Sequence, residues 1–367
     1  MTPDAGSRSQ LTRRGMLAGA AALGAGSLTL GAAPASASPL RAPNHRTRVV
    51  LAGTAGGPPP QDGRLGICTA IVVEDRVYLI DLGPGAVTAY AQAGLTMEQI
   101  RAVFVTHLHS DHLAEVYNLF WLNYGAPGAR GNISQRVDVY GPGPAGAVPQ
   151  APGAPVQQPD APTPGLTDFL RTAVAATAYD LNTRMAESRK PDIWNVIAPH
   201  DLELPDVGAS PANRVPIMEP FQILDDGFVR VSAILVDHPP VFPSFAFRFD
   251  TADGSVVVSG DTAPSDNLVR LAQGADVLVH EAYDHDYFAA INPRLAETFS
   301  RTHTRSEQVG ELATRAGVGT LVLSHLVPAG IREVRDAVWK RKARTGFRGD
   351  VVVGRDGDAI GVGRQRK

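Results

Sequence analysis

The sequence feature that most constrains this chain is residues 106–112, Thr-His-Leu-His-Ser-Asp-His, which follow an apolar segment and precede one of helical character. Alternate residues of an extended strand face the same side, so His107 and His109 can bind one metal ion. The turn that follows directs Asp111 and His112 to a neighbouring position. Imidazole and carboxylate groups suit zinc and similar first-row metals. The segment therefore predicts a metal site where a strand gives way to a helix.

Other apolar segments end in the same residue types. Four predicted strands end at His238, Asp261, His280 and His325. The strand ends of a layered α/β fold share one edge, so these side chains can meet in space. We therefore expect an α/β chain whose polar strand ends converge on the 106–112 segment.

Asp81 ends the third strand of a β-meander predicted over residues 48–83. Its carboxylate could support a ligand histidine from behind. It could equally cap the helix expected to start near Pro84. The residues leave both interpretations open.

The N-terminal segment, residues 1–37, has the pattern of a twin-arginine signal peptide. The pair Arg13-Arg14 precedes an Ala/Gly/Leu stretch, and small residues before Ser38 offer a peptidase site near Ala37. The stretch is too short and too rich in Gly and Ala to prefer a permanent membrane span; a retained anchor is the alternative. We expect the twin-arginine machinery to export the protein to the periplasm or the cell exterior.

The remaining residues, 38–367, are expected to form a single domain with a proline-rich insert at about 142–219. One helix is predicted in the insert over about 165–188, and the insert is expected to overhang the metal site and shape substrate choice. The residues predicted for the buried face of that helix are Leu166, Phe169, Leu170, Val174, Tyr179 and Leu181.

Two further patterns predict local structure near the C-terminal end. Thr304 and Glu307 have the spacing of a capping box that opens a helix. Strands at 351–353 and 359–362 are expected to form a closing hairpin around a turn at 356–357.

Charge and cysteine content exclude some classes of function. The whole chain has a net charge of -3, and without residues 1–37 it carries 31 basic against 36 acidic residues, or -5. Because nucleic-acid binders usually carry a basic patch, nucleic acid is not favoured as a partner. The single cysteine, Cys68, excludes an internal disulfide and a cysteine-rich zinc site.

Several segments together resemble the metallo-β-lactamase-fold hydrolases, in particular their ribonuclease Z/arylsulfatase-like branch. The similarity spans about residues 48–364, apart from the insert. The matching segments, in the order of that family, are 53–57, 80–83, 106–112, 259–262, 280–282 and 323–325. The resemblance implies a four-layer αββα sandwich with the metals held between the sheet edges.

The resemblance also implies two zinc ions, with manganese or iron as other candidates. The implied ligands of one ion are His107, His109 and His238. Those of the second are Asp111, His112 and His325, with Asp261 bridging both. His238 is preferred to His200 because the segment around His238 resembles the family's His-Pro segment, whereas His200 lies in the insert.

In such a centre the two metals would lower the pKa of a shared water, and the metal-bound hydroxide would attack the substrate. Asp111 is assigned a catalytic role as well as a ligand role. His303 is the candidate general acid, since Thr302-His303-Thr304 resembles the family's Gly-His-Ser-Thr segment. A residue lying just outside a helix cap is the alternative for His303. His280 and Glu281 are expected to support the site from behind.

The substrate expected from these features is a small phosphodiester, sulfate ester, carboxylic ester or lactone, hydrolysed outside the cell. Export, the acidic charge and the lack of a basic, glycine-rich arm in the insert argue against RNA. The alternatives are a ribonuclease Z-like phosphodiesterase on RNA, a hydrolase of xenobiotic aryl compounds, and an exported metal-binding protein without turnover. A homodimer is compatible with any of these.

Overall fold

Two seven-stranded sheets form the centre of the fold in a computed structural model that describes residues 45–125, 128, 130–149 and 153–363. The predicted signal peptide therefore lies outside the described residues. In the described part of the chain, no helix is long and apolar enough to cross a membrane.

The first sheet has the strand order β14-β1-β2-β3-β4-β5-β6. Its strands are β1 (Thr47–Gly53), β2 (Cys68–Val73), β3 (Arg76–Ile80), β4 (Ile100–Phe104), β5 (Val137–Pro142), β6 (Ile197–Leu202) and β14 (Asp358–Val362). The antiparallel strands β1 to β3 confirm the predicted meander.

The second sheet has the strand order β13-β12-β11-β10-β9-β8-β7. Its strands are β7 (Phe221–Asp225), β8 (Val229–Leu235), β9 (Phe245–Thr251), β10 (Ser255–Val258), β11 (Val277–Tyr283), β12 (Thr320–Val327) and β13 (Asp350–Val353). Both sheets mix parallel and antiparallel pairs.

Helices cover the outer faces of the two sheets. They are α1 (Ala86–Gln92), α2 (Ser110–Leu113), α3 (Val116–Asn123), α4 (Leu166–Ala176), α5 (Ala178–Ser188), α6 (Asp266–Leu271), α7 (His285–Ile291), α8 (Pro293–Thr302), α9 (Ser306–Ala316) and α10 (Asp336–Ala343). Two 3₁₀ turns, Met97–Gln99 and Ile193–Asn195, precede β4 and β6.

Strand periodicity explains the layering. In β1, Val49 and Leu51 pack between the sheets, whereas Val50 and Ala52 pack against the outer helices. Successive side chains of a strand point to opposite faces, so an all-apolar strand can serve both layers. The predicted four-layer αββα sandwich is confirmed.

Aromatic rings join the two sheets near the metal-site segment. Phe104, at the end of β4, lies 5.5 Å from Phe247 and 5.2 Å from Phe249 between ring centroids, and both partners belong to β9. All three side chains are fully buried. Such edge contacts add to the burial of apolar area, so the cluster stabilises the sandwich where it positions the site.

Phe104→Ala should lower the free energy of unfolding by about 3–5 kcal/mol, because it leaves a cavity between the sheets. The matched control is Tyr179→Ala, since Tyr179 is 85% exposed on α5 and its loss should change stability by no more than about 0.5 kcal/mol. Chemical denaturation measures both. Equal effects of the two variants would show that the aromatic cluster does not hold the sheets together.

The predicted closing hairpin is wrong. Strand β13 pairs in parallel with β12 in the second sheet, whereas β14 pairs with β1 in the first. The segment between them crosses from one sheet to the other, and it is held by Asp356, whose carboxylate accepts from Thr54 Oγ1 and Leu65 N at 2.6 Å each. Residues 356–357, which have the sequence of a hairpin turn, therefore belong to a connection between the two sheets.

The insert contains more regular structure than the sequence predicts. The expected single helix is two, α4 and α5, which break at Thr177, and Tyr179 points outward instead of into the core. Strand β6 was not predicted because Pro199 interrupts its pattern. As an edge strand of the first sheet, β6 tolerates a residue without an N–H group.

The predicted capping box is also wrong in detail. Helix α9 begins at Ser306, and the Arg305 backbone N–H donates to the Gln308 side chain at 3.3 Å. Thr304 is fully buried, and its hydroxyl donates to the Thr262 carbonyl at 2.7 Å. Thr304 therefore ties the helix entry to the loop after β10 rather than capping the helix.

Candidate metal centre

Four strands bring the predicted ligands together at one edge of the sandwich. The 106–112 segment follows β4 and enters α2, and the Thr106 carbonyl accepts from Phe245 N of the second sheet at 2.9 Å. His238 follows β8, Asp261 follows β10, and His325 lies within β12. The metal-site segment is thus fixed against the opposite sheet by a backbone hydrogen bond.

The first group of ligand-type side chains combines three histidines with Asp261. Each offers one ligand atom, and these atoms lie within 4.8 Å of one another. His238 Nε2 is 3.3 Å from His109 Nδ1, and His107 Nε2 is 3.9 Å from Asp261 Oδ2. His107, His238 and Asp261 are buried, whereas His109 is exposed. This group opens to the surface through His109.

The second group comprises Asp111, His112, His325 and, again, Asp261, with ligand atoms within 4.8 Å of one another. The Nε2 atoms of His112 and His325 are 3.2 Å apart, and His325 Nε2 lies 3.3 Å from both Asp111 Oδ2 and Asp261 Oδ1. Asp261 belongs to both groups, which places it where a bridging ligand would be. All seven residues assigned as ligands from the sequence therefore lie together; their binding of metal stays a prediction.

The chemistry of these side chains fits a metal ion. His107 Nε2 and Asp261 Oδ1 are buried and form no hydrogen bond with the described residues. Burial lowers the pKa of His107 well below its ordinary value, and it lowers that of His238 to about 4. Both rings are therefore neutral and carry a lone pair at neutral pH. An unpartnered buried polar atom is costly, and a cation at this point would satisfy several of them together.

Hydrogen bonds on the far ring nitrogens orient three of the histidines. Asp81 accepts from His112 Nδ1, from the Thr106 hydroxyl and from the Thr106 N–H, each at 2.8 Å. His107 Nδ1 donates to the Thr106 hydroxyl at 3.1 Å, and His238 Nδ1 to the Thr302 carbonyl at 2.8 Å. With Nδ1 occupied, each ring presents Nε2 to the centre. Asp81 thus supports a predicted ligand histidine and makes no cap for α1, whose N-cap is Gly85.

The glycine loop at residues 53–57 closes the second group. Gly57 N donates to Asp111 Oδ2 at 3.0 Å. A Cβ on Gly56 would lie 2.7 Å from His325 Nδ1, so only glycine fits there without displacing the ring. The sequence singled out this loop as a family-like segment but did not reveal its contact with Asp111.

His303 lies beside both groups, immediately after α8. Its ring centroid is 4.9 Å from that of His238, and its Nδ1 donates to Glu281 Oε1 at 3.2 Å. Burial alone would lower the pKa of His303, but the carboxylates of Glu281 and Asp261 raise it to about 9. The ring is therefore positioned as a cation at the edge of the site.

Glu281 and His280 support His303 and its surroundings. Glu281 Oε1 also accepts from Thr304 N at 3.0 Å, and His280 Nδ1 donates to the Glu281 carbonyl at 2.6 Å. Within the described residues, neither side chain hydrogen-bonds one of the seven predicted ligands. They affect the centre indirectly, Glu281 through its hydrogen bond with His303 and His280 through its hydrogen bond with the backbone of β11.

His200 lies apart from the centre. Its Nε2 donates to Asp138 Oδ1 at 2.7 Å, its ring stacks on Tyr140, and it is half exposed on β6. Its exclusion as a ligand agrees with this position. Thr106 and Thr302, which fix the ligand histidines, were not predicted as functional residues. In the sequence, only their positions next to His107 and His303 could have indicated that role.

Comparisons with known proteins agree with this geometry. The sequence profile of the metallo-beta-lactamase superfamily matches residues 63–120. A ribonuclease Z from Mycobacterium bovis (strain BCG / Pasteur 1173P2) is 30% identical over 312 residues, which cover 84% of this chain and 95% of the relative. A ribonuclease Z from Mycobacterium sp. (strain KMS) is 31% identical over 308 residues. The chain belongs to the ribonuclease Z family.

Solved structures of the same fold include human tRNase Z, short form, with a TM-score of 0.58 and 20% identity, covering 86% of this chain and 99% of that one. The YhfI protein of Bacillus subtilis has a TM-score of 0.55 and 19% identity, covering 86% and 98%. These structures share the fold, and the ribonuclease Z relatives together with the superfamily profile confirm the predicted superfamily and its ribonuclease Z-like branch. As a member of the ribonuclease Z family, the chain is a metal-dependent hydrolase with side chains able to bind metal, and the alternative of a binding protein without turnover is excluded.

Three sequence-based predictions are wrong in the light of these relatives. The ribonuclease Z proteins are named for RNA, which contradicts an exported hydrolase of small esters and the exclusion of nucleic acid as a partner. Export is contradicted for the same reason, because a protein removed from the cell would not meet that substrate. The prediction against RNA rested on export, on net charge and on the lack of a basic arm in the insert. Net charge describes the whole surface and not the local environment of a site.

Proposed function

We propose that this chain is a zinc-dependent phosphodiesterase that hydrolyses RNA. The observation that carries the proposal is the combination of ribonuclease Z relatives along 84% of the chain with two ligand groups that share Asp261. Both parts are needed, because the fold alone supports many kinds of hydrolase.

Distances between ring nitrogens support zinc. Two nitrogens bound to one tetrahedral zinc at about 2.0–2.1 Å lie about 3.3 Å apart. The structure has 3.3 Å between His238 Nε2 and His109 Nδ1, and 3.2 Å between the Nε2 atoms of His112 and His325. Each group therefore contains one pair of nitrogens at the spacing of two zinc ligands.

In the proposed enzyme, His107, His109 and His238 would hold one ion and Asp111, His112 and His325 the other, with Asp261 available to both. Bound there, the ions would supply a lowered pKa for an attacking water and stabilisation of the charge that develops on the phosphate oxygens. The remaining chemistry falls to the residues of this chain.

His303 is proposed to protonate the leaving ribose oxygen. Its Nδ1 is engaged by Glu281, which leaves Nε2 to donate a proton. Asp111 is held by Gly57 N and by His325, so its carboxylate keeps a fixed direction in the site. A fixed donor and a fixed carboxylate reduce the reorganisation needed when the P–O bond breaks.

Asp81→Asn should weaken metal binding by about 10–100-fold, because the amide would no longer accept from both His112 and Thr106. Asparagine tolerates the positive φ of 56° at this position, so the backbone should not change. Competition with a chromogenic chelator measures the affinity. Asp138→Asn, which alters a surface carboxylate beside His200, is the control. An unaltered affinity in Asp81→Asn would remove Asp81 from the support of the centre.

The proposed reaction is tested by hydrolysing RNA in isotopically labelled water with the zinc-loaded full chain. Attack by water predicts labelled oxygen on the phosphate of one product and an unmodified hydroxyl on the other. Products ending in a cyclic phosphate, which arise when a ribose hydroxyl attacks, would contradict the proposal. So would cleavage that persists unchanged after complete removal of metal.

A further inference from the structure

A cavity of about 860 Å³ opens beside the first ligand group. His109, one of the proposed zinc ligands, forms part of its wall together with Leu108 and Leu113 from the same segment. The other walls come from the insert and from the loop after β8. The cavity is therefore continuous with the proposed metal centre, and whatever fills it lies next to the reacting phosphate.

The wall of the cavity is mainly apolar. Prolines from four separate segments contribute to it, and so do the partly buried rings of Phe169 on α4 and Phe242 after β8. Both rings line the cavity, so each presents part of its surface to whatever fills it. An apolar wall beside a phosphate-cleaving centre selects a substrate with a flat apolar group next to its phosphodiester, and a nucleobase of RNA is such a group.

The low positive charge at the cavity favours binding of unpaired bases over binding of an RNA duplex. The one cationic side chain among its described lining residues is Arg214, whose Nε lies 3.4 Å from Asp237 Oδ1. Binding of duplex RNA depends on contacts with phosphates and ribose hydroxyls, which this wall does not offer. The volume lies within the range of about 300–1,000 Å³ for small-ligand pockets, and so suits individual bases.

We propose that this cavity is a subsite for unpaired nucleobases next to the cleaved phosphodiester, and that Phe169 and Phe242 supply its stacking faces. The inference rests on the proposed function and adds to it two rings that would determine specificity beside the reacting phosphate. The insert thereby determines specificity through stacking and not through basic groups.

The test compares two synthetic strands with the same ribose-phosphate backbone, one carrying bases and one abasic near the cleaved linkage. The zinc-loaded wild type should bind the base-bearing strand at least about tenfold more tightly, as expected for one base–aromatic stack. Phe169→Leu, which keeps an apolar side chain but removes one of the two rings, should lower this ratio. Tyr179→Leu removes an exposed ring from the same insert and should keep the ratio of the wild type.

Ala212→Leu, which fills space without adding an aromatic ring, is the second variant, in case Phe169→Leu fails to fold. Ala212 is exposed at the cavity wall, so a large side chain there should exclude the base and also lower the ratio.

Equal binding of the two strands by the wild type, or an unchanged ratio in both cavity variants, would overturn the subsite. Cleavage of RNA in that case would leave the proposed function standing. A wild type that cleaves neither strand, nor a folded RNA, would instead contradict the proposed function itself. The two failures are therefore distinguishable.

Discussion

Asp261→Ala should abolish binding of both metal ions and lower RNA hydrolysis by at least about 10⁴-fold, toward the background rate. Asp261 is the residue that the two ligand groups share; it is 2% exposed, and five imidazole rings lie within 3.9 Å of its carboxylate. Its loss removes a negative charge from both groups at once. The first group would then contain only imidazoles and the second would keep Asp111 as its one carboxylate, so each would hold a divalent cation less tightly.

Metal content by elemental analysis and the rate of RNA cleavage measure this outcome. Asp261→Asn keeps the shape of the side chain and separates loss of charge from loss of packing. Asp138→Ala, at a half-exposed carboxylate on β5, should retain both ions and full activity. If Asp261→Ala kept two tightly bound ions, the assignment of Asp261 as the shared ligand would be wrong.

His303→Ala should lower kcat by about 10²–10⁴-fold while leaving both metal ions bound. The imidazole donates through Nδ1 to Glu281 and lies outside both ligand groups, so its removal should affect proton transfer rather than metal binding. Substrates with a better leaving group need less protonation, so the deficit should shrink on an aryl phosphodiester. A purely structural role would give the same deficit on both substrates.

The control for His303→Ala is His200→Ala, which removes a histidine paired with a carboxylate away from the centre. Its activity should match that of the wild type. Loss of a metal ion in His303→Ala would make His303 a ligand and contradict the proposed role as a proton donor.

The metal-site segment was predictable because its chemistry is local. Residues 106–112 place four ligand-type side chains at a strand end, and strand alternation determines which of them face together. His238, Asp261 and His325 were found by combining predicted strand ends with the family resemblance. The structure places all of them within the two groups, because strands β4, β8, β10 and β12 end at one edge of the sandwich.

Elements that depend on distant partners could not be predicted. Strand β6 forms only because the edge of β5 is available to it, which a local pattern interrupted by Pro199 does not indicate. The last two strands look like a hairpin locally, yet their pairing is decided by β12 and β1. In both cases, pairing with a distant strand determined the structure, against what the local sequence pattern indicates.

The substrate was misjudged for a related reason. Overall acidity and a missing basic arm argued against RNA, whereas the site offers an apolar cavity in which stacking can replace phosphate contacts. Net charge affects long-range attraction of a polyanion, and it does not measure what a cavity near the reacting atoms can bind.

The central claim is tested most directly by measuring bound metal and hydrolysis of single-stranded RNA on the same sample of the full chain. The samples are the protein as loaded with zinc, after chelation, and after zinc is restored. We expect two ions per chain, cleavage that disappears with the metal, and recovery of both together. Fewer than one ion after reconstitution, or two ions without cleavage of any RNA, would contradict a zinc-dependent RNA phosphodiesterase.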